Sequence, residues 1–301
     1  MRHALDRFAS RIAAVLIATA ALACGASTAP PAPAEAVAVA APSALAAPSA
    51  VAAPAAAPRA AAEPASPART LRVASYNILG GKLGLEQVTE ALRSFDADLI
   101  ALQEVDSRTR RAGRVDQPRV IAKALGMEVA FAEHRSFDGG RIGVALLSRH
   151  PLANVERVAL PGDTLAALQA DVTVGEHAVR VMVVHLHPTD PRDPLARRRS
   201  MDAARMREAD AVLLRATDGS RPTLVLGDFN ALPNSREYGE FSDHFEDACR
   251  DGGATWPASV PLVRIDYIWA STELSVLGCR RFSPGASDHR PVVADVGLGG
   301  R

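Results

Sequence analysis

The stretch Leu224-Val-Leu-Gly-Asp-Phe-Asn-Ala-Leu-Pro233, LVLGDFNALP, decides how the rest of the chain is read. An apolar run of strand character breaks into Asp228, Asn230 and Pro233. Gly, Asp, Asn and Pro are turn-formers, and strands commonly end in such a cluster. Taken alone, the turn is the simpler reading. The chemical reading starts from strand geometry: residues i and i+2 of an extended chain point to the same side. Asp228 and Asn230 would then present a carboxylate and an amide to one point.

Working outward, the same pattern recurs. Residues 71–78, LRVASYNI, read as a short strand ahead of Gly80-Gly81, and residues 98–105, DLIALQEV, as a near-continuous apolar strand. Residues 86–95 have helical spacing; 116–125 read as a helix stopped by Gly126. Residues 141–148 predict another buried strand. Residues 165–174 and 177–187 flank Gly175-Glu176 as an antiparallel hairpin. A long Arg-rich helical stretch over 194–216 is followed by strands at 222–228, 264–270 and 290–296. Strands alternating with helices, plus a hairpin, imply a mixed α/β core with helices covering the sheets. No internal repeat is evident.

The front of the chain is built differently. Arg2, His3, Arg7 and Arg11 surround an apolar run, residues 12–22, that ends in Ala21-Leu22-Ala23-Cys24. A basic start, a short apolar run and small residues at its end predict an export signal over 1–24. The run is too short to span a bilayer comfortably, which takes about 20 apolar residues. Cys24 after small residues resembles the bacterial lipobox, whose cysteine is lipidated, although Ala21 stands where Leu is usual. Simple cleavage after small residues is the alternative. Either way the expectation is an exported protein: a membrane-anchored lipoprotein of the cell envelope, or a secreted one. Residues 26–69 hold 22 Ala and 9 Pro among 44. Such a composition forbids a continuous helix and offers no core, so 25–69 reads as a disordered tether before a domain at 70–301.

That domain carries Cys249 and Cys279, which could pair in an oxidising compartment or stay as buried thiols. The chain has 34 basic and 34 acidic residues; with 5 and 3 of these in residues 1–69, the domain keeps 29 and 31. A domain near −2 exerts no global pull on polyanions. Its lysines are only Lys82 and Lys123, so cationic work falls to Arg.

The polar residues at the ends of the apolar strands now stand out. They are Asn77, Glu104, His185, Asp228, Asn230, Asp266 and the pair Asp288-His289. One carboxylate at a strand end caps a turn; several such places need a collective partner, because unpaired burial costs a few kcal/mol each. A hard divalent cation is such a partner: Mg²⁺ takes one or two carboxylates, keeps waters and bridges to phosphate. Mn²⁺ is the alternative ion, and a Cys-free donor set argues against structural zinc.

The motifs SYNIL (75–79), LQEV (102–105), HLH (185–187), GDFNALP (227–233), RIDYIW (264–269) and SDHRPV (287–292) resemble those of the metal-dependent endonuclease/exonuclease/phosphatase (DNase I-like) superfamily, in that family's order. The resemblance implies a four-layer α/β sandwich of two mixed β-sheets flanked by helices, with the site at the strand ends. It implies Glu104 as principal metal ligand, with Asn77 and Asp288 beside it. Asp228 would orient or deprotonate the attacking water, and Asn230 would hydrogen-bond the nucleophile or phosphate. His289 would contact the scissile phosphate, its tautomer held by Asp266. His185 matches a second phosphate-contacting histidine and a candidate general acid. Several family nucleases carry a tyrosine before the Gly-Val of RIGVALLSR; here Arg141 stands there, a candidate phosphate clamp. His187 reads as a supporting or solvated residue, His150 and His177 as solvated, Arg197-Arg198-Arg199 as a wet helix face, and Trp256 and Trp269 as core or rim.

The implied activity is hydrolysis of a phosphodiester or phosphomonoester. A nuclease-like phosphodiesterase fits the motif set, and nucleic acid is an admissible partner despite the lack of a strong basic patch. A lipid phosphodiesterase or phosphatase, sphingomyelinase-like or phosphoinositide-directed, would suit a membrane tether, but no exposed aromatic hairpin is evident. A catalytically silent binding module is disfavoured by the complete set of site residues. A monomer is expected.

Overall fold

Strands that are apolar on both faces need cover on both sides, and this requirement builds the molecule outward from two sheets. The computed structural model describes residues 70–162, 165–188, 195–280, 282 and 285–299, apart from the side chains of residues 196 and 198. The export signal, Cys24 and the tether of 25–69 lie outside the described residues.

The first sheet contains β1 (Thr70–Asn77), β2 (Leu99–Ser107), β3 (Glu128–Phe137), β4 (Gly140–Ser148), β11 (Ser275–Arg280) and β12 (Val292–Gly297), in the order β11-β12-β1-β2-β4-β3. The second contains β5 (Leu152–Ala159), β6 (Ala166–Val174), β7 (His177–His185), β8 (Thr223–Asp228), β9 (Phe245–Asp247) and β10 (Asp266–Ser271), in the order β5-β6-β7-β8-β10-β9. Each sheet has one parallel pair near its middle, β1 with β2 and β7 with β8; the other pairs are antiparallel. Parallel neighbours need a crossover. The helices α1 (Leu85–Phe95) and α3 (Leu195–Ala216) lie in those connections, with α2 (Gln117–Leu125) after β2 and α4 (Arg236–Ser242) after β8.

Side-chain alternation sorts the strands into layers. Val73, Leu99 and Leu146 of the first sheet meet Val181, Leu226 and Ile268 of the second in a buried inter-sheet core. The alternate residues Tyr76, Ile100 and Leu147 are covered by Val88, Leu92 and Phe95 of α1 and Ile121 of α2. Met182, Val184 and Trp269 are covered by Val212 of α3 and Phe241 of α4. The result is the four-layer α/β sandwich implied by the sequence. In α1 the buried positions Val88, Leu92 and Phe95 recur at helical spacing, and the helix stops at Asp96 in the left-handed conformation.

Gly227 is fixed by the sheet itself. A Cβ there would lie 2.1 Å from the carbonyl oxygen of Val184, so only glycine lets β8 run this close beside β7. Cys249 and Cys279 form a disulfide, with Cα atoms 5.1 Å apart.

Candidate active site

The inter-sheet core ends in polar residues. Along β1, Val73, Ser75 and Asn77 share the inner face; along β7, β8 and β10 the inner positions end at His185, Asp228 and Asp266. The register places His185 beside Asp228 and Asp228 beside Asp266, giving a row of three across the second sheet. Opposite it, Asn77 pairs with Gln103 in the first sheet, one residue before Glu104.

Glu104 reaches this row through a defect in β2. Between Leu102 and Val105 the pairing with β4 slips by one residue, and Glu104 has φ 54°. Such a bulge re-aims a side chain and is often found beside active sites. Here it brings Glu104 Oε1 to 3.4 Å from Asn77 Nδ2.

In LVLGDFNALP the two oxygens of Asp228 are used differently. Its Oδ1 accepts the backbone N–H of Asn230 at 3.0 Å, closing an Asx-type turn. Its Oδ2 accepts from Asn77 Nδ2 at 3.1 Å and lies 3.7 Å from Nε2 of both His185 and His289. The geometric premise needs correcting, however. The strand ends at Asp228, and Asn230 has φ 50°, so the turn rather than strand alternation places the amide. Asn230 Nδ2 donates to the carbonyl of Leu186 at 2.9 Å, which ties it to the β7 end.

The last segment is fastened by Ser287. Its hydroxyl donates to the carbonyl of Asn77 at 2.6 Å and accepts from the His289 backbone N–H at 3.2 Å. His289 Nδ1 then meets Asp266 Oδ2 at 3.0 Å, leaving Nε2 toward Asp228. Asp288 is approached by the Trp256 indole N–H and the Ser287 hydroxyl, each at 3.4 Å.

Burial dominates the electrostatics. Asp228, Asp266, Asn77 and His289 are all buried. Desolvation, reinforced by the negative charge of Asp266, raises the Asp228 carboxyl above its ordinary value. Desolvation would lower the His289 ring, but Asp266 and Asp228 outweigh it and hold the imidazolium up to about 10. Around Asp228, the histidine rings and the Asn77 amide N–H offset the negative charge.

Those donors fit a hard divalent cation. Asp228, Asp266 and His289 bring ligand-type atoms within 4.8 Å of one another, but Asp266 is already committed to the His289 ring. On the Glu104 side, the amide of Asn77 stands between two carboxylates, with Nδ2 3.4 Å from Glu104 Oε1 and 3.1 Å from Asp228 Oδ2. Carboxylates such as Glu104 and Asp288 suit a hard divalent cation that keeps several waters, while Asn77 Oδ1 accepts the Leu79 N–H at 3.0 Å.

Arg141 is not brought to this group. It shares the outward parity of Ala145 and Leu147 along β4, whose packing is on the helix side. Its half-exposed guanidinium lies 3.6 Å from Glu133 and lines a cleft with Asp116, Pro118 and Arg119. Trp256 is at the rim and Trp269 in the core. His187 is neither free nor part of the Asp228 group: its ring and backbone N–H both bind Glu208, a fully buried carboxylate of α3.

Sequence reasoning passed over His134, Ser287 and Gln117. Gln117 accepts the Asp106 N–H at 2.9 Å and donates to the Gly80 carbonyl at 2.8 Å, bridging the segments that carry Glu104 and Asn77. The serine was legible in SDHRP as a short hydroxyl beside the acid–histidine pair; the other two sit in unremarkable stretches.

Buried carboxylates, paired histidines and oxygen donors at one end of a four-layer sandwich define the class: a metal-dependent phosphoric ester hydrolase. The chain belongs to the endonuclease/exonuclease/phosphatase family, whose model matches residues 74–289. Among solved structures it is similar to an endonuclease/exonuclease/phosphatase from Beutenbergia cavernae (22% identity, 77% of this chain and 72% of that one, TM-score 0.64). It is also similar to the human Nocturnin catalytic domain with bound sulfate anion (22% identity, 75% and 93% covered, TM-score 0.57). A third similar structure is ANGEL2, a 2',3'-cyclic phosphatase (17% identity, 76% and 95% covered, TM-score 0.58). A search of curated proteins finds no match.

Proposed function

We propose that this protein is an exported, Mg²⁺-dependent phosphodiesterase of nuclease type that hydrolyses a phosphoester by in-line attack of water. The observation that carries the reading is the meeting at Asp228 Oδ2 of Asn77, His185 and His289, three side chains from segments far apart in sequence. Glu104, Asn77 and Asp288 would hold the ion, which when bound would neutralise phosphoryl charge and acidify a water. Asp228, whose carboxyl is raised by burial and by Asp266, is suited to take a proton from the attacking water, and Asn230 to steady it. His289, kept charged with Nε2 outward by Asp266, is suited to stabilise charge on the phosphoryl oxygens. His185 is suited to protonate the leaving oxygen.

Export is supported by the basic-then-apolar segment ahead of Cys24, and a disulfide is compatible with an oxidising compartment. The sulfate held by Nocturnin and the cyclic phosphatase activity of ANGEL2 support a phosphoester substrate. The near-neutral charge of the domain favours a substrate gripped at its phosphate over a long duplex.

The test compares substrates. The full chain with Mg²⁺ is offered plasmid DNA, single-stranded DNA and RNA, and in parallel sphingomyelin and phosphoinositide liposomes. Nucleic-acid cleavage that ends with chelator and is absent in Glu104→Ala supports the proposal; release of phosphocholine or inositol phosphate alone would replace it with a lipid enzyme.

A further inference from the structure

His134 lies outside the Asp228 group, yet it stands beside His185 at the same end of the sandwich. It is the extra residue where β3 slips against β4, between Glu133 and Arg135. The bulge turns its ring into the interior, where the residue is only 6% exposed. The ring centroid is 6.0 Å from that of His185, with the planes tilted by 47°. A backbone hydrogen bond with Ala166 holds the ring, and Nε2 is buried without a partner. Burial first, then the neighbouring His185, Arg157 and Arg135, hold the ring well below the usual histidine range, at about 3. It is therefore a neutral imidazole at physiological pH, and its orphan Nε2 is a hydrogen-bond acceptor.

Buried polar groups are nearly always paired, so this acceptor calls for a donor. The neighbouring imidazole of His185 offers a donor of matching chemistry. Two imidazoles with centroids 6.0 Å apart that meet edge to edge leave about 4 Å between their nearest atoms, a small ring shift from hydrogen-bond distance. Resting on the role of His185 proposed above, we infer that His134 is a positioning residue, whose Nε2 accepts the Nδ1–H of His185 and so keeps His185 Nε2 turned to Asp228 and the substrate. The pair divides its work as Asp266 and His289 do: one partner fixes the ring, and the other acts at the phosphate. Here the fixing partner is a neutral imidazole in place of a carboxylate.

Nitrogen-15 spectra of the histidine rings in the full chain test this directly. In the wild type His185 should be protonated at Nδ1, with Nε2 carrying the lone pair when neutral. His134→Phe should release that preference and lower kcat by about 10- to 100-fold, with KM changed less than about threefold. His134→Gln, which restores an acceptor oxygen, should recover at least about a third of the loss in log kcat. Wild-type His185 unprotonated at Nδ1, or a folded His134→Phe with unchanged kcat, would overturn the inference. If His134→Phe does not fold, the wild-type spectrum still decides. The spectrum needs no turnover, so a chain that cleaves no phosphoester would sink the proposed function without touching this result.

Discussion

Acidifying the protein from pH 7 to pH 5 should destabilise it through His134, by an amount the structure specifies. The ring titrates at about 3 when folded against an ordinary value of 6.5. Below 6.5 the unfolded chain takes up a proton that the folded chain refuses, so stability contributed by the neutral ring is complete above 6.5. It falls as pH drops through the unfolded value and stops falling only near the folded one. At pH 5 the loss is about 2 kcal/mol, from 1.5 pH units at 1.36 kcal/mol each. Other groups titrate over the same window, so the informative quantity is a difference. Urea unfolding followed by the fluorescence of the buried Trp269 would be measured at pH 7 and pH 5 for wild type and His134→Phe. The variant loses the pH-7 comparison if its ring packs poorly, but the gap should move in its favour by about 2 kcal/mol at pH 5. A gap that stays constant within about 0.5 kcal/mol, or moves the other way, would refute the claim that His134 is buried neutral.

Two further outcomes concern the frame around the site. Arg264 and Asp247 form a buried ion pair at 2.7 Å, with side chains 8% and 0% exposed. Arg264→Leu should cost about 3–5 kcal/mol in denaturant unfolding by stranding the carboxylate, and Arg264→Leu with Asp247→Leu should regain much of it. The Cys249–Cys279 bond closes a separation of 30 residues, and replacing both cysteines by serine should lower stability by about 3–4 kcal/mol. An unchanged midpoint for the serine variant under oxidising conditions would show that the bond is not formed.

How much could be read beforehand follows from where each strand lies. The predicted strands correspond to β1, β2, β4, β6, β7, β8, β10 and β12, all interior to their sheets. The missed ones, β3, β5, β9 and β11, are the four sheet edges. A central strand is buried on both faces and reads as an apolar run; β5 is mostly exposed, and β9 is three residues long. The site residues were legible because they interrupt interior strands at their ends. The bulge that aims Glu104 leaves no mark in LQEV; it shows only in the pairing of β2 with β4 and in the residue's φ. Arg141 lies apart from the Asp228 group because a motif position fixes a residue along the strand and not the face it occupies. His134 escaped because AEHRSF has neither an apolar run nor a turn signal, and only the pairing of β3 with β4 shows the slip.

The most direct test is a titration of phosphodiester hydrolysis against Mg²⁺, comparing the wild-type chain with Glu104→Gln. If strands of both sheets gather their oxygens and imidazoles around one ion, wild-type turnover saturates with metal and vanishes on chelation. The variant, missing one ligand oxygen's charge, should then need at least about 10-fold more Mg²⁺ for half-maximal rate. Superimposable curves for the two proteins, or hydrolysis indifferent to chelator, would contradict the account at its root.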